Sequence, residues 1–273
     1  MYIAVDIGGS KTLLTLLTDS GRIKKRLKMK TYQDQNEWIK NLNKFLPRIL
    51  PLRKSQINAA IFSYPGVIKA GHPDIAPNLK AWHGKQIEAM IKSLFISKNL
   101  TCKILYKNDA DLGALFECQK YSGTSLYLTF GTGIGGSLIK NGKLDKRAEC
   151  FEPGHILKSY RGKRLEWEKI ASSKAIRAAN DDLDVTKISD QKALEDVACR
   201  FSVGLADLIK EYRPDHVVLS GPIIEVFPGF KDTLIKLLGA SLPKSVEIPK
   251  IHAAKHPQES VIYGAYLYGH AKN

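Results

Sequence analysis

Gly131, Gly133 and Gly136, in the stretch YLTFGTGIGG at 127–136, satisfy the spacing G-x-G-x-x-G. That spacing cradles a dinucleotide pyrophosphate only when a helix follows the last glycine. Here the chain continues SLIKNGKL: residues 137–140 read as a second strand, and Asn141-Gly142 is a hairpin turn signal. A glycine turn joining two strands offers no helix dipole. It offers bare backbone N–H groups, which glycine lets approach phosphate oxygens closely. The stretch therefore reads as a phosphate clamp outside a dinucleotide-binding unit.

The start of the chain repeats this pattern. Residues 2–5 form a short apolar strand that ends at Asp6 and runs into Gly8-Gly9-Ser10-Lys11-Thr12. LLTLLTDSGRI then gives a strand, a turn at Asp19-Ser20-Gly21 and a third strand. A strand-end carboxylate such as Asp6 suits a hydrated Mg²⁺. One such hairpin is also an ordinary structural feature; two, one with a strand-end aspartate, point to phosphate binding. A third stretch, Asn108-Asp109-Ala110-Asp111, follows the strand KILYK. Phosphoryl transfer to a hydroxyl needs a carboxylate that orients the hydroxyl and takes its proton, the role open to Asp109. The alternative is helix N-capping by Asn or Asp. Glu152-Pro153-Gly154-His155 and Glu168 follow, with acids and a histidine suited to polyol hydroxyls or to a metal. Cys150 is the one further ligand close in sequence, so zinc is not expected there. Pro77-Asn78-Leu79, ahead of Trp82, adds a polar loop whose plainer reading is a turn.

These groups need a scaffold, and the pattern supplies one twice. Strands near 1–5, 13–17 and 23–30 precede a helix at 36–50 ended by Pro47 and Pro51. A buried strand at 58–63, the Pro65-Gly66 turn, a helix at 84–97, a strand at 103–107 and a helix at 110–121 follow. The second half opens again with a hairpin. Helices at 172–179 and 192–212, a strand at 216–219, a helix at 230–238, a strand at 247–251 and a last helix at 259–270 come after it. Two halves that each begin with a phosphate hairpin suggest an internal duplication with nucleotide held between them. The expected domains are 1–107 and 108–258, with the final helix, 259–273, packing back on the first.

At 273 residues and 44% apolar composition the chain can bury one large core or two ordinary ones. No apolar run approaches the ~20 residues that span a bilayer, so no membrane partner is expected. The first strand starts at the N-terminus, so no leader is expected. The four cysteines are scattered, which suits reduced thiols in a cytoplasm. The net charge of +15 is high, but the basic clusters at 22–30 and 158–164 are short and acids are interspersed. Nucleic acid is therefore not expected as a partner. A basic surface or a polyanionic substrate accounts better for the charge.

Taken in order, these motifs resemble those of the ROK sugar kinases of the actin/hexokinase superfamily, over nearly the whole chain. DIGGSKT at 6–12 is similar to the family's first phosphate motif, Pro65-Gly66 to its Pro-Gly turn and Pro77-Asn78-Leu79 to its sugar loop. The stretch 108–111 resembles its catalytic segment, 131–136 its second phosphate motif, and 152–155 its E-x-G-H. Glu168 before Ala171-Ser172 resembles its later glutamate, and DHVVLSG at 215–221 its adenosine-side element. The resemblance implies an α/β fold of two actin-like (ribonuclease H-like) domains with a nucleotide and sugar cleft between them. It implies Asp109 as base toward a hexose hydroxyl, usually on C6. Pro65, Gly66, Asn78, Asn108, Glu152, His155 and Glu168 would be on the sugar. Gly8, Gly9, Ser10, Lys11, Thr12, Gly131, Thr132, Gly133 and Gly135 would be on the ATP phosphates, Asp6 on Mg²⁺ through water, and Gly221 near the nucleoside. A homodimer is implied as well.

The sequence also departs from the family. Members commonly carry C-x-C-G-x-x-G-C after the histidine, binding zinc with it; here the interval is ILKSYRGKRLEW. Something other than zinc must then orient His155. The basic interval is similar to that of the polyphosphate-using glucokinases of the family, so polyphosphate is an alternative donor. Ser220-Gly221-Pro222 is poorer in glycine than the usual adenosine element. The residues do not identify the hexose.

Overall fold

The computed structural model describes residues 1–76, 79–149 and 151–272. The chain forms two compact units, Met1–Phe116 with the chain's end from Glu259, and Glu117–Gln258.

The first unit begins with the antiparallel strands β1 (Tyr2–Ile7), β2 (Lys11–Leu17) and β3 (Ile23–Lys30). Helix α1 (Gln35–Ile49), β4 (Ala59–Tyr64), a short ribbon of β5 (Ile68–Lys69) and β6 (His72–Pro73), α2 (Gly84–Ser97), β7 (Lys103–Asn108) and α3 (Asp109–Glu117) follow. The sheet order is β3-β2-β1-β4-β7, with β4 parallel to β1 and β7 parallel to β4. YIAVDI and AAIFSY read as nearly unbroken apolar runs because β1 and β4 are covered on both faces. Ile3, Val5 and Leu14 meet Trp38 and Leu42 of α1 and Ile91 and Phe95 of α2. On the other face Tyr2, Ala4 and Ile61 meet Leu112 of α3 and Ile262 and Ala265 of the C-terminal helix (Ser260–Ala271). The Asp34 carboxylate starts α1 by accepting the N–H groups of Asn36 and Glu37 at 2.7 and 3.0 Å. Pro47 lies inside α1 instead of ending it. The stop is made by Leu50, extended at ψ 144° as the residue before Pro51.

The second unit repeats the plan. Strands β8 (Thr124–Phe130), β9 (Ile134–Lys140) and β10 (Lys143–Leu144) form the meander. Asn141 and Gly142 turn the chain at φ 49° and 76°, the two positive values that a type I′ turn requires. A hairpin of β11 (Leu157–Tyr160) and β12 (Lys163–Glu166) leads into α4 (Trp167–Ala171), α5 (Ser173–Ala178) and α6 (Gln191–Tyr212). Then come β13 (His216–Ser220), α7 (Phe227–Ser241) and β14 (Lys250–Ala253). The sheet order β10-β9-β8-β13-β14, with β13 and β14 parallel to β8, matches strand for strand the order in the first unit. Phe130 stacks on Phe201 at 4.0 Å between ring centroids and meets the edge of Trp167 at 5.6 Å.

Three expected boundaries move. The fifth strand is 250–253, not 247–251, because Pro249 has no N–H for the ladder. Helix α3 starts at Asp109 and stops at Glu117, short of 121. It packs with the first unit, so the units divide after Phe116 and not at 107/108. The basic interval forms the β11–β12 hairpin.

Candidate functional site

In the first unit the candidate residues gather at the ends of β1, β4 and β7. Asp6 occupies the last turn of the pleat in β1 and accepts a hydrogen bond from the Ser63 hydroxyl of β4 at 3.0 Å. Burial pushes its carboxyl up from the usual carboxylate range, and the Ser63 bond offsets that only in part. A carboxylate left short of compensation in this way fits a nearby cation. The β1–β2 turn is closed by the Gly8 N–H donating to the Lys11 carbonyl at 3.0 Å, while Gly9, Ser10 and Lys11 are exposed. Thr12 differs from its neighbours. Its hydroxyl is buried, accepts from the Trp38 indole at 3.0 Å and bonds the Thr31 hydroxyl at 2.7 Å. It anchors the turn to α1, and its side chain is not available to a phosphate.

The residues at the end of β7 separate two readings of the motif. Asn108 caps α3: its carbonyl accepts from the N–H groups of Ala110 and Asp111 at 2.8 and 3.3 Å. Its amide donates to the Gly66 carbonyl at 2.9 Å, tying α3 to the Pro65-Gly66 turn. Asp109 is the first residue of α3, half-buried, with one oxygen accepting the Ala110 N–H at 2.9 Å. Lys107 pairs with Asp111 at 2.9 Å. Asn78, with Pro77, lies outside the described residues. Leu79 and Trp82 beside them are core, Trp82 packing on Trp38 at 4.9 Å.

In the second unit the β8–β9 turn holds Gly131, Thr132 and Gly133, followed by Gly135 paired with Thr129. The Gly131 N–H donates to the Gly133 carbonyl at 3.0 Å, and the Ser173 hydroxyl donates to the Phe130 carbonyl at 2.6 Å. Gly221 sits against the same strand end. It has φ 96°, and a Cβ there would lie 2.3 Å from the Phe130 carbonyl oxygen, so only glycine fits. A Cβ on Gly133 would lie 2.5 Å from Oε2 of Glu168. The Glu168 carboxylate therefore touches the backbone of the β8–β9 turn.

Glu152 precedes a single 3₁₀ turn, Pro153–His155, and accepts the His155 N–H on its carbonyl at 3.2 Å. His155, Glu166 and Glu168 each offer a ligand atom, all within 4.8 Å of one another. His155 Nδ1 is 3.5 Å from Glu166. Lys169 and, less strongly, His155 hold the Glu166 carboxyl below its usual range. Sequence spacing left His155 with few ligands nearby; the hairpin overturns that premise by folding Glu166 back to it. The expectation of no zinc then rests on the lack of cysteine in the interval 156–167 alone.

Glu166 is the site residue that sequence reasoning missed. It ends β12 opposite Leu157, and the hairpin that carries it is bolted to α6. Asp196 accepts from Tyr160, Arg161 and Arg200 at 2.8, 2.6 and 2.6 Å, and Lys158 pairs with Asp207. Arg200 and Lys158 are buried and each has a carboxylate partner; the Arg200–Asp196 pair is the better shielded, since Asp207 and Arg161 reach solvent. A carboxylate on this hairpin thus stands beside the histidine, in an interval, 156–167, that carries no cysteine.

Two α/β units with one strand order, each carrying a glycine turn between its first two strands, define the two-domain actin-like fold. The ROK family model matches residues 2–272, and the chain belongs to the ROK family. It is 25% identical over 295 residues to an N-acetylmannosamine kinase of Yersinia pseudotuberculosis, covering 98% of both chains. It is 38% identical over 117 residues to a polyphosphate glucokinase of Mycobacterium leprae, an alignment covering 41% of this chain and 33% of that one. It is 25% identical over 159 residues to a xylose repressor of Bacillus spizizenii, covering 49% of this chain and 41% of the repressor. Among solved structures, a ROK family glucokinase from Streptomyces griseus in complex with glucose and AMPPNP superposes with a TM-score of 0.77. That pair is 20% identical over 98% of each chain. Among the described residues no helix is long and apolar enough to cross a membrane.

Proposed function

We propose that this chain is an ATP- and Mg²⁺-dependent hexose kinase that transfers the γ-phosphoryl group to a sugar hydroxyl, most simply that on C6. The observation that carries this reading is the contact between Glu168 and the Gly133 backbone. A carboxylate suited to sugar hydroxyls touches a turn suited to phosphate, so acceptor and donor groups adjoin within one unit. A sugar sensor needs the first of these and has no use for the second. In the proposed reaction Asp109 takes the hydroxyl proton as the oxygen attacks the γ-phosphorus, and ADP leaves. Asn108, Glu152, His155, Glu168 and Glu166 hold the sugar, with Asn78 and the Pro65-Gly66 turn. The backbone of 8–11 and 131–133 cradles phosphates, Gly221 lies on the nucleoside side, and Mg²⁺ bound near Asp6 would neutralise phosphate charge. A cytoplasmic homodimer completes the proposal. The test is a coupled assay of ADP formation over a panel of hexoses and N-acetylhexosamines. Sugar-dependent turnover with at least one is expected. Sugar binding without turnover across the panel would instead favour a sensor, like the repressors among its relatives.

Two further results are expected. Glu166→Gln removes the charge beside His155 but keeps the shape, so KM for the sugar should rise ~10-fold with kcat within about twofold, the usual worth of an orienting partner. Equal losses in kcat and kcat/KM would place Glu166 in the chemical step instead. Asp6→Asn should raise the melting temperature at pH 7 by about 2–4 °C, the effect of ~1 kcal/mol in a chain of this size. The sign follows from the raised carboxyl. The folded protein holds that proton more tightly than the unfolded chain, so ionised Asp6 destabilises above its folded pKa. The cost vanishes as pH falls below the ordinary value of 3.8. Mg²⁺ should stabilise the wild type and not the variant; a variant that melts lower at pH 7 would contradict the assignment.

A further inference from the structure

We propose that Tyr121 and the pair His216–His252 form an acid-sensitive latch, which holds the segment 118–123 on the sheet of the second unit and releases it when both imidazoles carry a proton. The proposal is independent of the kinase reading. The segment joins α3, which starts at Asp109, to β8, which runs into the Gly131–Gly133 turn. The latch therefore sets the order of a link between two elements of the candidate site.

Two neighbouring strands supply the histidines. His216 stands opposite Lys250 in the parallel β13–β14 register, and His252 is two residues further along β14. Val217, Leu219 and Ile251 belong to the core, so alternation along the strands puts both histidines on the opposite face. There His216 Nδ1 and His252 Nε2 meet at 3.1 Å. The Tyr121 ring stacks on both imidazoles, at 4.7 Å from His216 and 4.5 Å from His252 between ring centroids. Lys120 Nζ lies over the same tyrosine ring at 4.8 Å.

A tyrosine stacked on histidine is ordinary packing, but packing does not account for the charge around it. A hydrogen bond between two imidazole nitrogens needs a proton on one and a lone pair on the other. The pair therefore tolerates at most one positive charge. His252 is set among cations: His216 itself, Lys120 of the segment, Lys231 of α7 and Lys250 of β14. Among the described residues neither imidazole has a carboxylate at ion-pair distance. The carboxylates nearest in the chain, Glu117 and Asp215, accept backbone N–H groups instead, Glu117 from Lys255 and His256 and Asp215 from Thr124. Burial, and then His216 and the three lysines, hold the His252 imidazole below its ordinary value of 6.5. Opening returns the ring to water, where it binds a proton more readily. The closed form is thus fully favoured above 6.5 and loses ground as pH falls below it.

The test is native-state hydrogen exchange of the full chain between about pH 5 and pH 7.5, read as protection factors so that the chemical rate's own pH dependence is removed. Two amides report on the segment: Tyr121, which donates to the Cys118 carbonyl at 3.0 Å, and Gly123, which donates to Asn141 Oδ1 at 2.9 Å. Residues 126–128 of β8 report on the sheet. Protection at Tyr121 and Gly123 should fall ~3-fold or more from pH 7 to pH 5, within the ceiling of ~10-fold per pH unit for one extra proton taken up on opening. Residues 126–128 should stay protected. In His252→Gln, which can still bond His216 but cannot charge, the fall should vanish. In His72→Gln, at an exposed histidine of the first unit, it should remain. A fall shared by 126–128 would mean that the whole unit loosens, and would overturn the latch. So would a wild-type fall retained in His252→Gln. Should that variant not fold, the assigned imidazole resonances of the wild type decide. His216 and His252 should take up protons in two separate steps, the second below 6.5; one shared step at 6.5 would overturn the pair.

Discussion

Asp109→Asn is expected to lower kcat by ~10²–10⁴, the usual worth of a positioned general base, with KM for ATP nearly unchanged. The structure makes this a clean experiment. Asn108 already caps α3 through the Ala110 and Asp111 N–H groups, so the variant does not remove the cap. An asparagine carbonyl can still accept the Ala110 N–H that Asp109 accepts at 2.9 Å. The variant removes the proton acceptor and a negative charge at the helix N-terminus, the latter worth ~0.3–1 kcal/mol of stability. The two contributions separate by measurement. A structural role alone would lower the melting temperature by a few degrees and leave kcat within about threefold, since ~1 kcal/mol shifts a chain of this size by 2–4 °C. Turnover near that of the wild type would remove Asp109 from the chemistry.

The parts of this site that were legible in the sequence are those specified by local rules. Glycine turns, the Asn141-Gly142 hairpin and a strand-end aspartate are each set by a few adjacent residues, and the structure places each of them at a strand end. The duplication was legible for the same reason, because each half spells out its meander before its helices. What was hidden depends on contacts between distant segments. Thr12 closes the glycine-turn motif at 6–12, yet Trp38, twenty-six positions on, claims its hydroxyl. Glu166 gave no local sign of function. The turn that returns it to His155 is Arg161-Gly162, with Arg161 at φ 48° in the left-handed region. A residue like Arg161 is a weak turn signal there, and Asn or Gly would have been a strong one. Gly162 was the available clue to a turn. The anchors on α6, Asp196 and Asp207, lie 30 or more residues away from the hairpin and are ordinary helix-surface acids by sequence.

Gly133→Ala is expected to lower kcat/KM for the sugar ~10²-fold, the cost of displacing a reactive arrangement by about 1 Å, while the fold is kept. The backbone at Gly133 lies outside the left-handed region, so alanine is conformationally allowed. Its methyl would meet Glu168 Oε2 at 2.5 Å, the free end of a flexible side chain, which can swing away. The protein then folds at the expense of the contact on which the kinase reading rests. Gly131→Ala is the matched control, since a Cβ there meets nothing within 4 Å; it should cost far less. A double-mutant cycle decides how the loss arises. In a Glu168→Ala background the space is already open. If the loss acts through the displaced carboxylate, Gly133→Ala should then cost no more than about threefold, ~0.65 kcal/mol. A loss of ~10²-fold in both backgrounds would mean that the methyl blocks phosphate approach to the turn directly, and that Glu168 and the turn act independently. Non-additivity would instead show that the sugar's carboxylate and the phosphate turn work as one device, which is what a transferase requires and a sensor does not.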